Sequence, residues 1–359
     1  MPETHVRGEP VRRFIIDRVT QHPGEIARVT AEHFGVTRQA VSKHLRALVD
    51  DGTLVCEGQT RNRTYRLAPL VDWQRSYALV PPPEEDRIWS EDVKPLLGDV
   101  PGNVMAIWAY GFTEMLNNAI DHAQGTEVVV VVRRTAAATE VAIHDDGVGI
   151  FKKIRAAMGL LDERHSVLEL AKGKLTTDPA RHAGEGIFFT SRMFDDFAIL
   201  SGGVFFSHQF DRSNDWLLAR RRARSGTSVF MTLGNRTDRT ATGVFDAFTS
   251  DDDLGFTKTV VPVRLARHGD ESLVSRSQAK RLLAGVERFR TVVLDFEGID
   301  SVGQAFADEV FRVFPAFHPS VSVVPTNANE AVRKMIAHAQ RGSSRDVGGG
   351  ASPTTTTSA

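Results

Sequence analysis

The stretch EMLNNAIDH, Glu114–His122, puts a carboxylate, two amides, a second carboxylate and an imidazole into nine residues. The run before it, VMAIWAYGF (104–112), is almost wholly apolar. At about 100° per residue, Glu114, Asn117, Asn118, Asp121 and His122 share one arc of a helix, and Met115, Leu116, Ala119 and Ile120 take the other. Alone, this is also the pattern of an amphipathic surface helix. Ile107, Tyr110 and Gly111 project near the same arc one or two turns earlier, however. A helix that is apolar all round at its start reads as buried. Its polar arc then faces a partner or a cavity, because clustered buried carboxylates and amides are costly unless something satisfies them.

Two further motifs follow. TEVVVVVRRT (126–135) and TEVAIHDDGVGI (139–150) read as strands rich in β-branched residues, the second ending in Asp145-Asp146-Gly147-Val148-Gly149. Glycines after a strand suit a turn where backbone approaches a ligand closely, although tight turns use the same residues. HAGEGIFFTSRMFDDF (182–197) then brings Gly184 and Gly186 into an apolar-periodic helix, where free N–H groups suit phosphate. Each motif is weak alone. No Walker A motif competes for the same role.

Their order and spacing resemble the GHKL ATPase superfamily, which includes DNA gyrase, histidine kinases and anti-sigma-factor serine kinases. The resemblance covers about 85–235 and implies ATP and Mg²⁺ as cofactors. By motif position, Asn118 resembles the amide that coordinates Mg²⁺, a hard cation that takes oxygen ligands. Glu114 resembles the general base aligned on the γ-phosphate. Asp121 matches a supporting carboxylate, and His122 a phosphate contact or a packing residue. Asp145 resembles the acceptor for the adenine amine, with Gly147 and Gly149 allowing adenine and lid to approach. Gly184 and Gly186 are expected to cradle phosphates. The long insertion 151–183 matches the ATP lid, in which Lys172, Lys174 and His182 are either phosphate contacts or solvated charge. Thr227, in GTSVFMTL (226–233), matches the residue beside the adenine-binding aspartate. Histidine kinases carry Lys or Arg near the position of Asp121 or His122, and no phospho-acceptor helix with an HE dipeptide occurs here, so that branch is disfavoured. ATPase and serine kinase remain open, since Glu114 serves either.

Upstream, VRRFIIDRVTQ and EIARVTAEHFGV read as helices, and Thr37 as the N-cap of TRQAVSKHLRALVDDG, with Val41, Leu45 and Leu48 as its apolar stripe. Two strand-like runs flank GQTRN. The block resembles the winged helix-turn-helix domains of bacterial repressors. Arg38, Gln39, Ser42, Lys43 and Arg46 lie opposite the stripe, and Arg61 and Arg63 at the wing tip. They suit a DNA groove and its phosphates, or a solvated face of a dimerisation module.

Downstream, strands and helices alternate through FTKTVVPVRLA, SRSQAKRLLAGVERF, RTVVLDFEGID, VGQAFADEVFRVFPAF, VSVVPTN and ANEAVRKMIAHAQ, which implies an open α/β sheet. VVLDFEGIDSVGQAFADEVF resembles the STAS domains of anti-sigma-factor antagonists. Those domains usually carry a phosphorylated serine where this chain has Val302, which leaves Ser301 as the candidate acceptor. A plain α/β interaction domain fits equally.

The fold expected is multidomain α/β: a winged helix-turn-helix (1–70), a linker (71–86), a GHKL α/β sandwich with ATP lid (87–235), a STAS-like α/β domain (250–340) and a disordered tail (341–359). The polar run NRTDRTATG (235–243) reads as a boundary. This three-part order resembles a bacterial and phage group of regulators. Net charge is −1, so any attraction to nucleic acid must be local rather than chain-wide. One cysteine, Cys56, rules out an intrachain disulfide and fits a reducing cytoplasm. The polar start MPETHVRGEPVRR reads as no signal peptide, and no apolar run is long enough to span a membrane. Expected partners are ATP, DNA, a STAS- or anti-sigma-type protein and a second copy of the chain.

Overall fold

The computed structural model describes residues 8–59, 62–175, 184–210, 212–250, 253–267 and 272–342. Arg61, His182 and the expected tail beyond 342 lie outside the described residues. The chain divides into two compact units. One holds residues up to Val148 with Met193–Ile199 and Ser225–Thr240; the other holds Gly149–Arg192, Leu200–Arg224 and the chain from Ala241 onward.

Among the described residues the first unit opens with three helices, α1 (Gly8–Arg18), α2 (Ile26–Phe34) and α3 (Arg38–Asp50). Gly35 ends α2 in the left-handed region, at φ 62°. Thr37 caps α3 by accepting the Ala40 N–H, satisfying one of the donors a helix start leaves orphaned. Val41, Leu45 and Leu48 bury against Ile15, Val19 and Ile26. Strands β1 (Leu54–Glu57) and β2 (Thr64–Leu67) form an antiparallel hairpin, with Arg66 paired to Glu57 across it at 2.7 Å.

The expected linker 71–86 is corrected here. Its first half is strand β3 (Val71–Ala78), antiparallel to β4 (Glu127–Arg134) along eight positions. The reason is visible in VDWQRSYA: Val71, Trp73 and Tyr77 alternate as the half-buried positions, the period of a strand. Residues 85–97 are then helical. Asp92 ties them back to β3 by accepting from Arg75 at 2.6 Å and from Tyr77 at 2.7 Å.

The main helix, α4 (Gly102–His122), buries Ile107, Trp108, Phe112, Met115 and Leu116. Next come β4 and β5 (Ala138–Asp145), whose Val128, Val130, Val132, Val141 and Ile143 point inward. The sheet order is β3-β4-β5-β7-β6, with β6 at Asp196–Gln209 and β7 at Arg212–Gly234. The division between the two units falls within NRTDRTATG, after Thr240, and the first part of the run is fastened to the first unit. Asn235 takes the Thr139 hydroxyl at 2.8 Å, Asn103 donates to the Thr237 and Arg239 carbonyls, and Arg239 pairs with Asp195 at 2.9 Å.

In the second unit, α5 (Ile150–Met158), α6 (Glu163–Lys172), α7 (from Gly186), α8 (Ala241–Asp246) and the antiparallel pair β8 (Thr249–Ser250) and β9 (Asp253–Phe256) precede a parallel sheet. That sheet is β10 (Lys258–Pro262), β11 (Thr291–Asp295) and β12 (Ser322–Thr326), in that order. Helix α9 (Arg276–Leu283) starts in a capping box made by Ser275 and Gln278. The stretch Gln304–Asp308, Glu309–Val313 and Phe314–Phe317 is one continuous helical run whose middle turn is π-helical, and Glu330–Gly342 closes the block. Phe188 and Phe189 of α7 pack with Phe248 and Phe256, and Phe256 with Phe289. Among the described residues no helix is long and apolar enough to cross a membrane.

Candidate functional site

The polar arc of α4 is neither solvated nor sealed. Glu114, Asn117, Asn118 and His122 are half-buried and Asp121 is exposed. Among the described residues the Asn118 and Asn117 carboxamides make no side-chain hydrogen bond, whereas Glu114, Asp121 and His122 each have an interaction. Geometry alone thus leaves the two asparagines equal, and only the motif separates them.

The end of α4 is fastened to the DDGVG turn. Val148 N–H donates to the Ala123 carbonyl at 2.9 Å. A Cβ on Gly147 would overlap that same carbonyl, so glycine there answers a helix–turn contact already present. Asp145 ends β5. The β5–β7 register pairs His144 with Ser228, so the next step sets Asp145 beside Thr227. Its Oδ1 accepts the Gly147 N–H at 3.0 Å and the Thr227 N–H at 3.1 Å. Burial pushes the Asp145 carboxyl above its usual range, and the two backbone N–H groups partly offset this. Asp146 does different work: it holds the Thr126 N–H and hydroxyl at 2.7 and 2.6 Å, which keep its carboxyl low. Gly226, not singled out in the sequence, sits at φ 82° where a Cβ would overlap the Asp145 carbonyl. The dipeptide Gly226-Thr227 was the available signal. Ser225 also closes the turn, donating to the Gly147 carbonyl at 3.0 Å.

The remaining motif residues lie in the second unit. Gly149 has φ 88° and precedes α5. Gly184 has φ 73°, and a Cβ there would overlap the Leu175 backbone. Gly186 opens α7.

Lys172 is corrected. It is fully buried, and its ammonium spends its three donors on Glu169 Oε1 at 2.7 Å and the Arg281 and Ala284 carbonyls at 2.9 and 2.8 Å. It caps the end of α9 and has no donor left for phosphate. Lys174 packs its ammonium over the rings of Phe256 and Phe289, 5.5 and 5.1 Å from their centroids. The lid insertion is likewise not a loose polar loop: Ser166–Lys172 are all buried, and Thr259 Oγ1 donates to the Lys172 carbonyl at 2.7 Å. Arg288 donates to the Lys174 carbonyl at 2.6 Å.

On α3, Arg38, Gln39, Ser42, Lys43 and Arg46 are exposed. Among the described residues Arg38, Lys43 and Arg46 have no carboxylate partner. Arg63 is exposed on the hairpin. In the C-terminal block, Asp295 accepts from Asn327 Nδ2 and Glu297 N–H at 3.0 Å each, and Asn329 holds the Ile299 and Asp300 carbonyls. This fixes a turn on which Ser301 is exposed and Val302 is buried.

Residues 100–204 match the histidine kinase-like ATPase domain. The match spans Glu114, Asn118, Asp145 and the two Gly motifs, and supports an ATPase or kinase of the GHKL class. Residues 278–333 match a STAS-like domain of unknown function. No curated protein matches the chain. An ATPase- or kinase-like domain joined to a STAS-like domain fits a kinase or an ATP-binding regulator, and GHKL domains bind ATP, usually with Mg²⁺.

Proposed function

We propose that the chain is an ATP-binding, Mg²⁺-dependent regulator that binds DNA through its N-terminal block, a winged helix-turn-helix, and passes its nucleotide state to the STAS-like block. The observation that carries nucleotide binding is Asp145. Its Oδ1 is held by two backbone N–H groups in a half-buried junction with Thr227, a fixed acceptor for the adenine amine. Asn118 offers Mg²⁺ an amide oxygen with no competing hydrogen bond among the described residues. No cluster of three or more His, Cys, Asp or Glu side chains suits a metal among those residues. The cation fits a site where one amide and the substrate phosphates hold it. When bound it neutralises phosphate charge. Glu114 aligns the attacking water or hydroxyl, Asp121 and His122 support that helix face, and Gly184 and Gly186 cradle phosphates.

DNA binding is supported by the exposed cations of α3 and by the hairpin that follows it. Coupling is supported by the lid segment itself, which Lys172, Thr259 and Arg288 fasten to the STAS-like block.

A second reading is an anti-sigma-type serine kinase acting on a STAS partner or in cis. Ser301 favours it, since it is the exposed hydroxyl of a fixed turn whose neighbour, Val302, is buried. Mass spectrometry after incubation with Mg-ATP separates the two: phosphoserine at Ser301 or on a partner selects the kinase.

Isothermal titration tests the nucleotide site. Asn118→Ala should abolish Mg-ATP binding. Glu114→Ala should keep it while turnover falls about 10²–10⁴-fold, the usual worth of a general base. Tight Mg-ATP binding by Asn118→Ala would remove the metal assignment.

A further inference from the structure

A groove in the STAS-like block lies outside every role assigned above. It is an open groove of about 850 Å³ between α9 and the helical stretch Gln304–Phe317. Small-molecule sites usually occupy ~300–1,000 Å³.

Glu309 lines it and is only 8% exposed. Among the described residues its carboxylate has no hydrogen-bond or ion-pair partner, and its oxygens are not sealed from solvent, which leaves them open to a donor in the groove. Glu309 also opens the π-helical turn Glu309–Val313, an irregularity that recurs where helices carry function.

The same groove carries cations. Lys280 is exposed and has no carboxylate partner among the described residues, and the Arg276 side chain, 64% exposed, meets only Asp308 at 3.8 Å. Asp308 is already held by Arg312 at 2.7 Å. Phe314 and Phe317 supply an apolar wall, with Phe317 77% exposed.

We propose that this groove binds a small zwitterionic amphiphile. Its ammonium group faces Glu309, its anionic group faces Lys280 and Arg276, and its apolar body lies on Phe314 and Phe317. Glu287 and Arg312 line the groove as well, so a purely cationic ligand would meet Arg276, Lys280 and Arg312, and a purely anionic one would meet Glu287 and Glu309. Ala284 also lines the groove, and its carbonyl accepts the Lys172 ammonium. An occupant therefore touches the turn to which the lid segment is fastened.

The test is isothermal titration of the full chain with L-phenylalanine, 3-phenylpropionate and 2-phenylethylamine as probes. L-Phenylalanine should bind at least about tenfold tighter than either analogue, a difference of ~1.4 kcal/mol. Glu309→Gln should reduce it to the affinity of 3-phenylpropionate, and Lys280→Gln should lower it toward that of 2-phenylethylamine, with Arg276 keeping part of the preference. Lys280 is exposed, so its variant keeps the test informative if Glu309→Gln fails to fold. Equal affinity for the three probes, no binding by any, or an unchanged preference in Lys280→Gln overturns the proposal. The probes contain neither adenine nor phosphate, so failure here leaves the ATP reading intact.

Discussion

Asp145 and Asp146 are adjacent, and their surroundings push their carboxyl groups in opposite directions. Burial raises the Asp145 value above the ordinary 3.8. Between the two values the folded chain keeps a proton that the unfolded chain has lost. Stability from this group therefore falls as pH rises through that window. Asp146, held low by hydrogen bonds from Thr126, contributes stability above the ordinary value that is lost as pH falls through its folded value. Urea denaturation at stepped pH should show Asp145→Asn and Asp146→Asn tilting the acid side of the profile in opposite senses. A tilt of the same sense in both sinks the assignment. The sequence DDG made one of these aspartates a candidate but could not show which backbone N–H groups each one meets. Lys172 illustrates the same limit: in AKGKL it looks solvated, because its carbonyl partners lie over a hundred residues away in Arg281 and Ala284. Lys172→Met should leave Glu169 buried without its partner and cost about 3–5 kcal/mol of stability. Its Mg-ATP affinity, measured where the variant is folded, should stay within about twofold of the parent, well under the tenfold that ~1.4 kcal/mol would give. A large loss of affinity with unchanged stability restores it as a phosphate ligand.

At the scale of the element, periodicity was the readable signal where one face is buried. The stripe Val41, Leu45, Leu48 and the N-cap Thr37 stand where the sequence set them. The strands VVLDF and VSVVPT pair in parallel, as alternating β and α segments imply. Strand β3 escaped notice because only Val71, Trp73 and Tyr77 mark its inner side, and five of its eight positions are exposed. The polar run after β7 read as a boundary, and the division between the units falls inside it, after Thr240; its anchoring by Asn103 was hidden because Asn103 lies more than a hundred residues upstream. Helix α3 supports a direct test. Replacing Arg38, Lys43 and Arg46 with Ala should weaken binding to duplex DNA and flatten its salt dependence, by about one unit of slope per lost phosphate contact. Fluorescence anisotropy across a salt series measures both. An unchanged slope would assign this face to a protein partner.

At the scale of the whole molecule, three sequence blocks became two compact units because chain neighbours and packing neighbours differ. Strand β3 carries the N-terminal helices into the unit of the ATPase sheet, and the buried face of α6 carries the lid segment into the unit of the STAS-like sheet. If nucleotide state governs DNA binding, duplex affinity should differ between protein with Mg-ATP, with ADP and without nucleotide. Identical affinity in all three would end the coupling proposal. The Lys172 anchor also ties the hydrogen exchange of α6 to that of the sheet and helix it holds. Amides that open only when a larger body unfolds share that body's exchange rate. The amides of α6 should therefore exchange deuterium as slowly as those of β10 and α9, and Lys172→Met should release α6 to a faster clock while β10 keeps its own.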